Sequence, residues 1–572
     1  MTCRSFSLFV VIFILLSSQG TFAADDEVAA SLRRLSAARS LGAEPLHYSR
    51  SLARFYQERQ FQLAWSDGRQ LLPPAEELLA AIPAAAGEGL NPWAYHLAAL
   101  TELVQRFRST PTPQIAAELD LLLSDAFMAL SSHYLNGRIA PAAVDRDWHI
   151  PREAAEPLRM LNQALTSGRI RDSLQALLPA DPAYAALRNA WQDLQLLAAV
   201  GGWPRLSFKP PLRLGASGPE VAALRQRLLV SRDLPASEGS GETFDAGLEA
   251  AVWRFQTRHG LVADRIVGLQ TLAAFNVPAA ERARQLAVNL ERWRWLPRVF
   301  GERHLRVNLP AFHLDLIENG ESVLAMRVIV GRQMRQTPAF VERITYLVLN
   351  PYWEVPHHLA VVDLLPKIKA DGDYLAKNGI KVFTSPGGAQ LNPAAIDWQQ
   401  LGRGNFPYHL RQDPGPKNAL GRIKFIFPNR HTVYLHDTPT PKLFEREQRS
   451  FSSGCIRIEK PFLLAQLLLR GSPLAEPAAF DKALQEAISA VVFLPTPIPV
   501  YLLYFTAWVE ADATLNFRPD LYKRDSRLSA ALHEASDLAF SRLPTRHFVF
   551  DYERAETLQQ NREQKENKHG MR

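Results

Sequence analysis

Three observations predict a multidomain α+β protein. The chain has 572 residues, too long for one ordinary domain of about 100–200 residues. Over much of residues 25–280 apolar residues recur at intervals of three and four, the period of an amphipathic helix. From about residue 303 they give way to short β-rich runs closed by Gly, Asn and Pro. Hydrophobic residues make up 47% and charged residues 22%, a globular balance that lets the chain bury true cores. Prolines, 40 in all, cluster at the expected boundaries.

The first element is a targeting segment. Arg4 precedes the apolar run 6–16 (FSLFVVIFILL), and Thr21-Phe22-Ala23 offers small residues where a signal peptidase reads. Residues 1–23 are therefore expected to be a secretory signal cut after Ala23, with an uncleaved anchor as the alternative. The run is shorter than the roughly 20 apolar residues of a span, and no later stretch matches even that, so no membrane span is expected in the mature chain. The net charge is +7. Its basic residues are scattered without the basic-and-aromatic stripe of a nucleic-acid groove, so nucleic acid is not an expected partner.

Residues 24–203 read as a helical scaffold domain, with helices near 50–65, 115–135 and 184–200 separated by Pro73-Pro74, Pro111 to Pro113 and Pro179 to Pro182. His133, Tyr134 and Trp148 are read as packing residues. Residues 204–280 form a smaller unit: a Gly-rich turn leads into a helix within 212–230, and further helices fall at 244–258 and 268–276. A β domain follows at 300–510, with strands at 304–309, 312–318, 322–330, 344–349, 422–427 and 432–436. Helical and turn material is inserted at about 357–405, and Pro461 opens a helix over 461–470. Residues 498–509 and 514–517 read as a closing hairpin. Residues 511–551 form a hairpin and helical extension, and the polar stretch 552–572 is expected to be disordered.

The chemistry concentrates in 434–460 (YLHDTPTPKLFEREQRSFSSGCIRIEK). Only Cys3 and Cys455 are cysteines, and Cys3 leaves with the signal. A lone exported thiol is either inert and buried or reactive. Here a strand delivers His436, a candidate base, and Ser452-Ser453-Gly454-Cys455 follows. A thiol needs a base or a cation to become a thiolate. Gly454 permits a tight turn beside the sulfur, where backbone N–H groups can point at an oxyanion. Tyr434 lies two before His436, on the same face. Asp437, next along, could orient the imidazole, but it falls on the opposite face, so the loop-surface reading is preferred. The pair His357-His358 lacks further ligands, so no metal is expected.

The His436…Ser-Ser-Gly-Cys455-Ile-Arg457 order and its spacing of 455 − 436 = 19 resemble the L,D-transpeptidase (YkuD-like) catalytic domain, with Ser453 where many members carry a second His. Residues 350–356, 405–427 and 434–439 resemble its large multidomain Gram-negative, YcbB-like branch. The residues Leu214, Gly215, Gly218, Val221, Leu224, Ala251, Val252, Phe255 and Gln256 resemble a peptidoglycan-binding module, mostly at core and turn positions. The resemblance implies a β-sandwich with an inserted helical lid. It implies Cys455 as nucleophile, His436 as proton donor and acceptor, Gly454 in the oxyanion hole, and Arg457 either binding a substrate carboxylate or bracing its loop. Tyr434, Trp353 and Ser453 would contact substrate, with a core role the alternative for Trp353. Asn418 and Gly421 would form a structural turn. It further implies a periplasmic enzyme needing no cofactor. Its partners would be peptidoglycan stem peptides and glycan, with wall synthases and carboxypeptidases as candidates. The activity would be 3-3 cross-linking with sensitivity to carbapenems, the alternatives being a thiol peptidase or a wall-binding scaffold.

Overall fold

The computed structural model describes residues 25–540, with side chains to 534. The signal expected at 1–23 and the tail expected at 552–572 lie outside these residues. Among the described residues no helix is long and apolar enough to cross a membrane.

The scaffold is organised around one helix, Pro113–Asn136. Thr112 caps it by accepting from Ile115 N, and Pro113 occupies its first turn. This helix is apolar nearly all round and is accordingly buried along most of its length. Its two buried acids tie down the chain before it. Asp120 accepts from the backbone N–H of Ala64 and Trp65 and from the Tyr56 hydroxyl. Asp125 accepts from the N–H of His47 and Tyr48. His96 bridges Glu44 and Asp125 through its two ring nitrogens, at 2.9 and 2.8 Å. His133 hydrogen-bonds the Tyr95 hydroxyl, and Tyr134 and Trp148 are buried, in keeping with their reading as packing residues.

The second unit has the expected helices, at Pro219–Val230, Ala246–Arg258 and Leu269–Phe275. Val221, Leu224, Ala251, Val252 and Phe255 form its core. Gln256 is a structural residue, donating to Asp264 and Ile266 and accepting from Arg265 N. Leu214, beside the Gly215 turn, is 54% exposed. A helix that periodicity missed, Ala279–Arg294, follows. Its C-terminal half is buried all round and includes Asn289, Glu291, Arg292 and Arg294. Partners make this burial tolerable: Arg294 pairs with Glu291 at 3.0 Å, Arg292 with Asp525 at 2.6 Å, and Asn289 donates to Thr506.

The β domain is one nine-stranded sheet. Its strands are β1 (Arg303–Asn308), β2 (His313–Glu318), β3 (Glu321–Gly331), β4 (Phe340–Leu349), β5 (Ile423–Ile426), β6 (Leu435–His436), β7 (Ser450–Ser452), β8 (Ile456–Ile458) and β9 (Ala490–Leu503). The spatial order is β7-β3-β8-β6-β5-β4-β9-β1-β2, and β2 also pairs with β3. The two layers of a sandwich are thus one sheet that closes on itself around an apolar interior. The helix Pro461–Leu468 covers it, opened by its proline as expected. The hairpin Ala507–Val509 with Leu515–Phe517 follows β9.

The insertion differs from the helical lid expected at 357–405. It spans 353–412 and combines short helices over 357–370 and 374–377 with a four-stranded sheet of 353–354, 409–412, 380–383 and 390–391. Those strands are too short for alternation to stand out from loop sequence. The lid has its own core, including Val355, Leu364, Ile368, Val382 and Leu410.

His96 gives this fold a testable pH dependence. Burial opposes its charge, but hydrogen bonds to Asp125 and Glu44 outweigh burial and raise its pKa from 6.5 to about 9. A folded-state value above the unfolded one stabilises fully below pH 6.5 and is lost as pH rises through about 9. The difference corresponds to about 3 kcal/mol. Denaturant unfolding between neutral pH and about pH 9.5 should therefore show a falling midpoint in the wild type and a much flatter profile in His96→Gln.

Candidate active site

Strand register assembles the site. β5 pairs with β6 so that Lys424 faces His436, and β6 runs parallel to β8 so that His436 faces Arg457. The next row is Phe425, Leu435 and Ile456, all fully buried in the sheet interior. Side chains alternate along a strand and match across a row. Lys424, Tyr434, His436, Cys455 and Arg457 therefore share the face opposite that interior.

Cys455 sits on a turn closed by Ser452. The Ser452 Oγ donates to the Cys455 carbonyl and accepts from Gly454 N–H at 3.1 Å. Gly454 has φ +122, a conformation open to glycine and strained for other residues. The tight turn expected at Gly454 is present. The Gly454 N–H, expected in the oxyanion hole, donates to Ser452 Oγ in this structure. Ser453 Oγ accepts from Arg335 and Arg332, at 2.9 and 3.3 Å.

The thiol is poised between opposing influences. Burial raises its pKa above the ordinary 9.0, while hydrogen bonds from the Tyr434 backbone and hydroxyl and the charges of Lys424 and Arg457 lower it. The Sγ–H donates to the Thr432 carbonyl at 3.6 Å rather than to His436. Thr432 itself has φ +54, unusual for a β-branched residue and a mark of local strain. Lys424 Nζ lies 4.0 Å from the centroid of the Tyr434 ring, whose own centroid is 5.6 Å from that of His436. Burial depresses the Lys424 and Arg457 pKa values, and the charge of Cys455 raises both. Arg457 Nε is buried with no hydrogen-bond partner among the described residues.

His436 is held as a neutral base. Its Nδ1 lies 2.6 Å from the Asp437 carbonyl. A carbonyl only accepts, so Nδ1 carries the proton and Nε2 keeps its lone pair. Burial, then the charge of Arg457, pushes its pKa down to about 3. Asp437 is not the surface residue expected. Its carboxylate accepts from Arg422 N and Thr438 N and is partly buried. Gly421 makes room for it: φ is +65, and a Cβ there would stand 2.3 Å from the Asp437 carboxylate. Asn418 fixes the same turn, donating to Pro351 and Asp413 and accepting from Leu420 N.

Trp353 is partly buried and packs against the apolar core of the lid. His357 Nε2 is 3.1 Å from the Phe406 carbonyl, a pin within the lid. Lys424, Ser452 and Thr432 were missed from sequence. The first is one lysine in a strand, and only its register brings it beside the sulfur.

Gly421→Ala should therefore act on the site at a distance. Alanine at φ +65 costs about 1–2 kcal/mol, and the clash must displace Asp437 and with it the carbonyl that orients His436. Cys455 acylation should slow at least about tenfold while circular dichroism shows a folded chain.

Comparison with known proteins agrees with this geometry. The L,D-transpeptidase catalytic domain family (YkuD) matches residues 302–475. A "Putative peptidoglycan binding domain" matches 217–275, and a scaffold domain matches 50–190. A Haemophilus influenzae protein named "Putative L,D-transpeptidase" is 35% identical over 266 residues, which are 46% of this chain and 53% of that protein. The chain thus spans about half the length of this curated relative. A crystal structure of an L,D-transpeptidase from Xylanimonas cellulosilytica (its residues 123–326) aligns at 17% identity over 52% of this chain and 99% of the other, with a TM-score of 0.18, too low to carry structural argument. Residues 302–475 belong to the YkuD family of L,D-transpeptidase catalytic domains, in a chain that also carries a scaffold domain and a peptidoglycan-binding-type module.

Proposed function

We propose that this protein is an exported L,D-transpeptidase that joins two peptidoglycan stem peptides through a Cys455 thioester. The observation that carries this reading is the shared sheet face, where one partly buried thiol meets a neutral imidazole and two cations. In the first half-reaction the thiol turns from the Thr432 carbonyl and passes its proton to His436 Nε2. The sulfur attacks the carbonyl of the third, diamino-acid residue of a tetrapeptide stem. The oxyanion forms in the field of Arg457 and Lys424. His436 returns the proton to the departing D-Ala amine, leaving a thioester. In the second half-reaction the side-chain amine of another stem attacks and regenerates the thiol, giving a 3-3 cross-link. Two transfers through one covalent intermediate imply ping-pong kinetics.

The lid over 353–412 excludes water and so favours the amine acceptor, while the module at 217–275 holds the enzyme to glycan. The segment 1–23 directs the chain to the periplasm. A carbapenem presents a strained amide to the same sulfur and acylates it.

Intact-mass measurement with a carbapenem tests the nucleophile. One adduct is expected on the wild type and none on Cys455→Ala; an adduct on both, or on neither, contradicts the assignment. With stem peptides, a cross-linked dimer is expected. A hydrolysed tripeptide as the main product would instead identify a peptidase.

A further inference from the structure

A second charged cluster, outside the chemistry above, abuts the nucleophile turn. β3 ends at Gly331, and residues 331–337 fold back against Ser452-Ser453-Gly454. Arg332 N donates to the Ser452 carbonyl at 3.1 Å, and Thr337 Oγ1 donates to the Gly454 carbonyl at 2.8 Å. The Tyr522 hydroxyl donates to the Gly331 carbonyl at 2.7 Å. A Cβ on Gly331 would stand 2.1 Å from the Arg335 carbonyl, so only glycine allows this loop. The loop is fixed to the catalytic turn, and it carries two guanidinium groups.

Both point at the same place. Arg335 grips the Asp363 carboxylate with two nitrogens, Nη1 to Oδ2 and Nη2 to Oδ1, the latter at 3.0 Å. Arg332 Nη2 reaches Oδ2 of the same carboxylate at 3.3 Å. Each arginine also donates to Ser453 Oγ. Asp363 belongs to the lid, within Ala360–Leu364. The cluster is open to solvent: the Arg332, Arg335 and Asp363 side chains are 45%, 20% and 27% exposed.

The charges do not balance. Two arginines face one carboxylate, which also feels Lys367. The charges of Lys424 and Arg457 also act on Cys455. A fork of this kind matches a carboxylate in both shape and charge. A purely structural pairing needs one arginine for one aspartate, and it needs no contact with the residue two before the nucleophile.

We propose that Arg332 and Arg335 form a carboxylate-binding subsite for the donor substrate, and that Asp363 of the lid occupies it as an internal stand-in until a substrate carboxylate takes its place. Resting on the function proposed above, this makes the donor class a peptide with a free carboxylate besides its terminal one. It also couples donor binding to release of the lid, because the incoming carboxylate breaks the contact between Asp363 and the loop.

The test uses the full mature chain with Cys455→Ala, so that binding is measured without turnover. Isothermal titration compares a soluble tetrapeptide stem with free carboxylates and the same peptide with all but its C-terminal carboxylate amidated. The free peptide should bind at least about tenfold tighter. Adding Arg335→Gln should erase that preference and leave the amidated peptide nearly unchanged, and Arg335→Lys should restore part of it. Adding Asp363→Asn removes the competitor and should tighten the free peptide alone. Equal weakening of both peptides by Arg335→Gln, or weaker binding of the free peptide in Asp363→Asn, would overturn the subsite and leave a lid anchor. Failure of both peptides to bind the Cys455→Ala chain would overturn the donor assignment itself.

Discussion

The site depends on one constraint, the register between β5, β6 and β8. Pairing Lys424 with His436 and His436 with Arg457 commits every second residue of three strands to one face. A slip of one residue on any of them would exchange that face with the interior. It would bury the lysine, the imidazole or the arginine among Phe425, Leu435 and Ile456. The cost of burying such groups unpaired makes the observed register the stable one. The packing that stabilises the sheet is therefore also what concentrates chemistry around Cys455.

That concentration sets the electrostatics. A desolvated thiol resists ionisation, and a desolvated imidazole resists protonation. Both effects operate here, and taken alone they would leave an unreactive pair. Lys424, Arg457 and Tyr434 act on the sulfur in the other direction. Around this balance the supports are rigid. Gly421 admits Asp437, the Asp437 carbonyl fixes the His436 tautomer, and Ser452 closes the turn that presents Cys455. The face is preorganised by backbone geometry.

Much of this was legible in the sequence where the signal is local. Cys455 and His436 stood out because a lone thiol, a tight Ser-Ser-Gly turn and a strand-borne histidine lie within one short segment. The turn at Asn418 to Gly421 and the helix opened by Pro461 were equally readable. What stayed hidden depends on distant partners. Lys424 is unremarkable until register sets it against His436. Arg335 and Asp363 become partners only when the lid folds down. The helix Ala279–Arg294 escaped notice because its buried C-terminal half carries Glu291, Arg292 and Arg294, and buried charge is not a periodic apolar signal. The contact of the Gly454 N–H with Ser452 Oγ is likewise a side-chain contact invisible to spacing.

The central claim is that the cations on this sheet face oppose the burial that raises the Cys455 thiol pKa. The most direct measurement is the pH dependence of Cys455 alkylation by iodoacetamide, followed by peptide mass spectrometry, in the wild type and in Lys424→Met. Removing a nearby cation from a desolvated thiol should move the midpoint to higher pH by about 1, with reactivity at neutral pH falling about tenfold. Superimposable profiles would contradict the account, since register would then place Lys424 beside the sulfur without consequence for its chemistry.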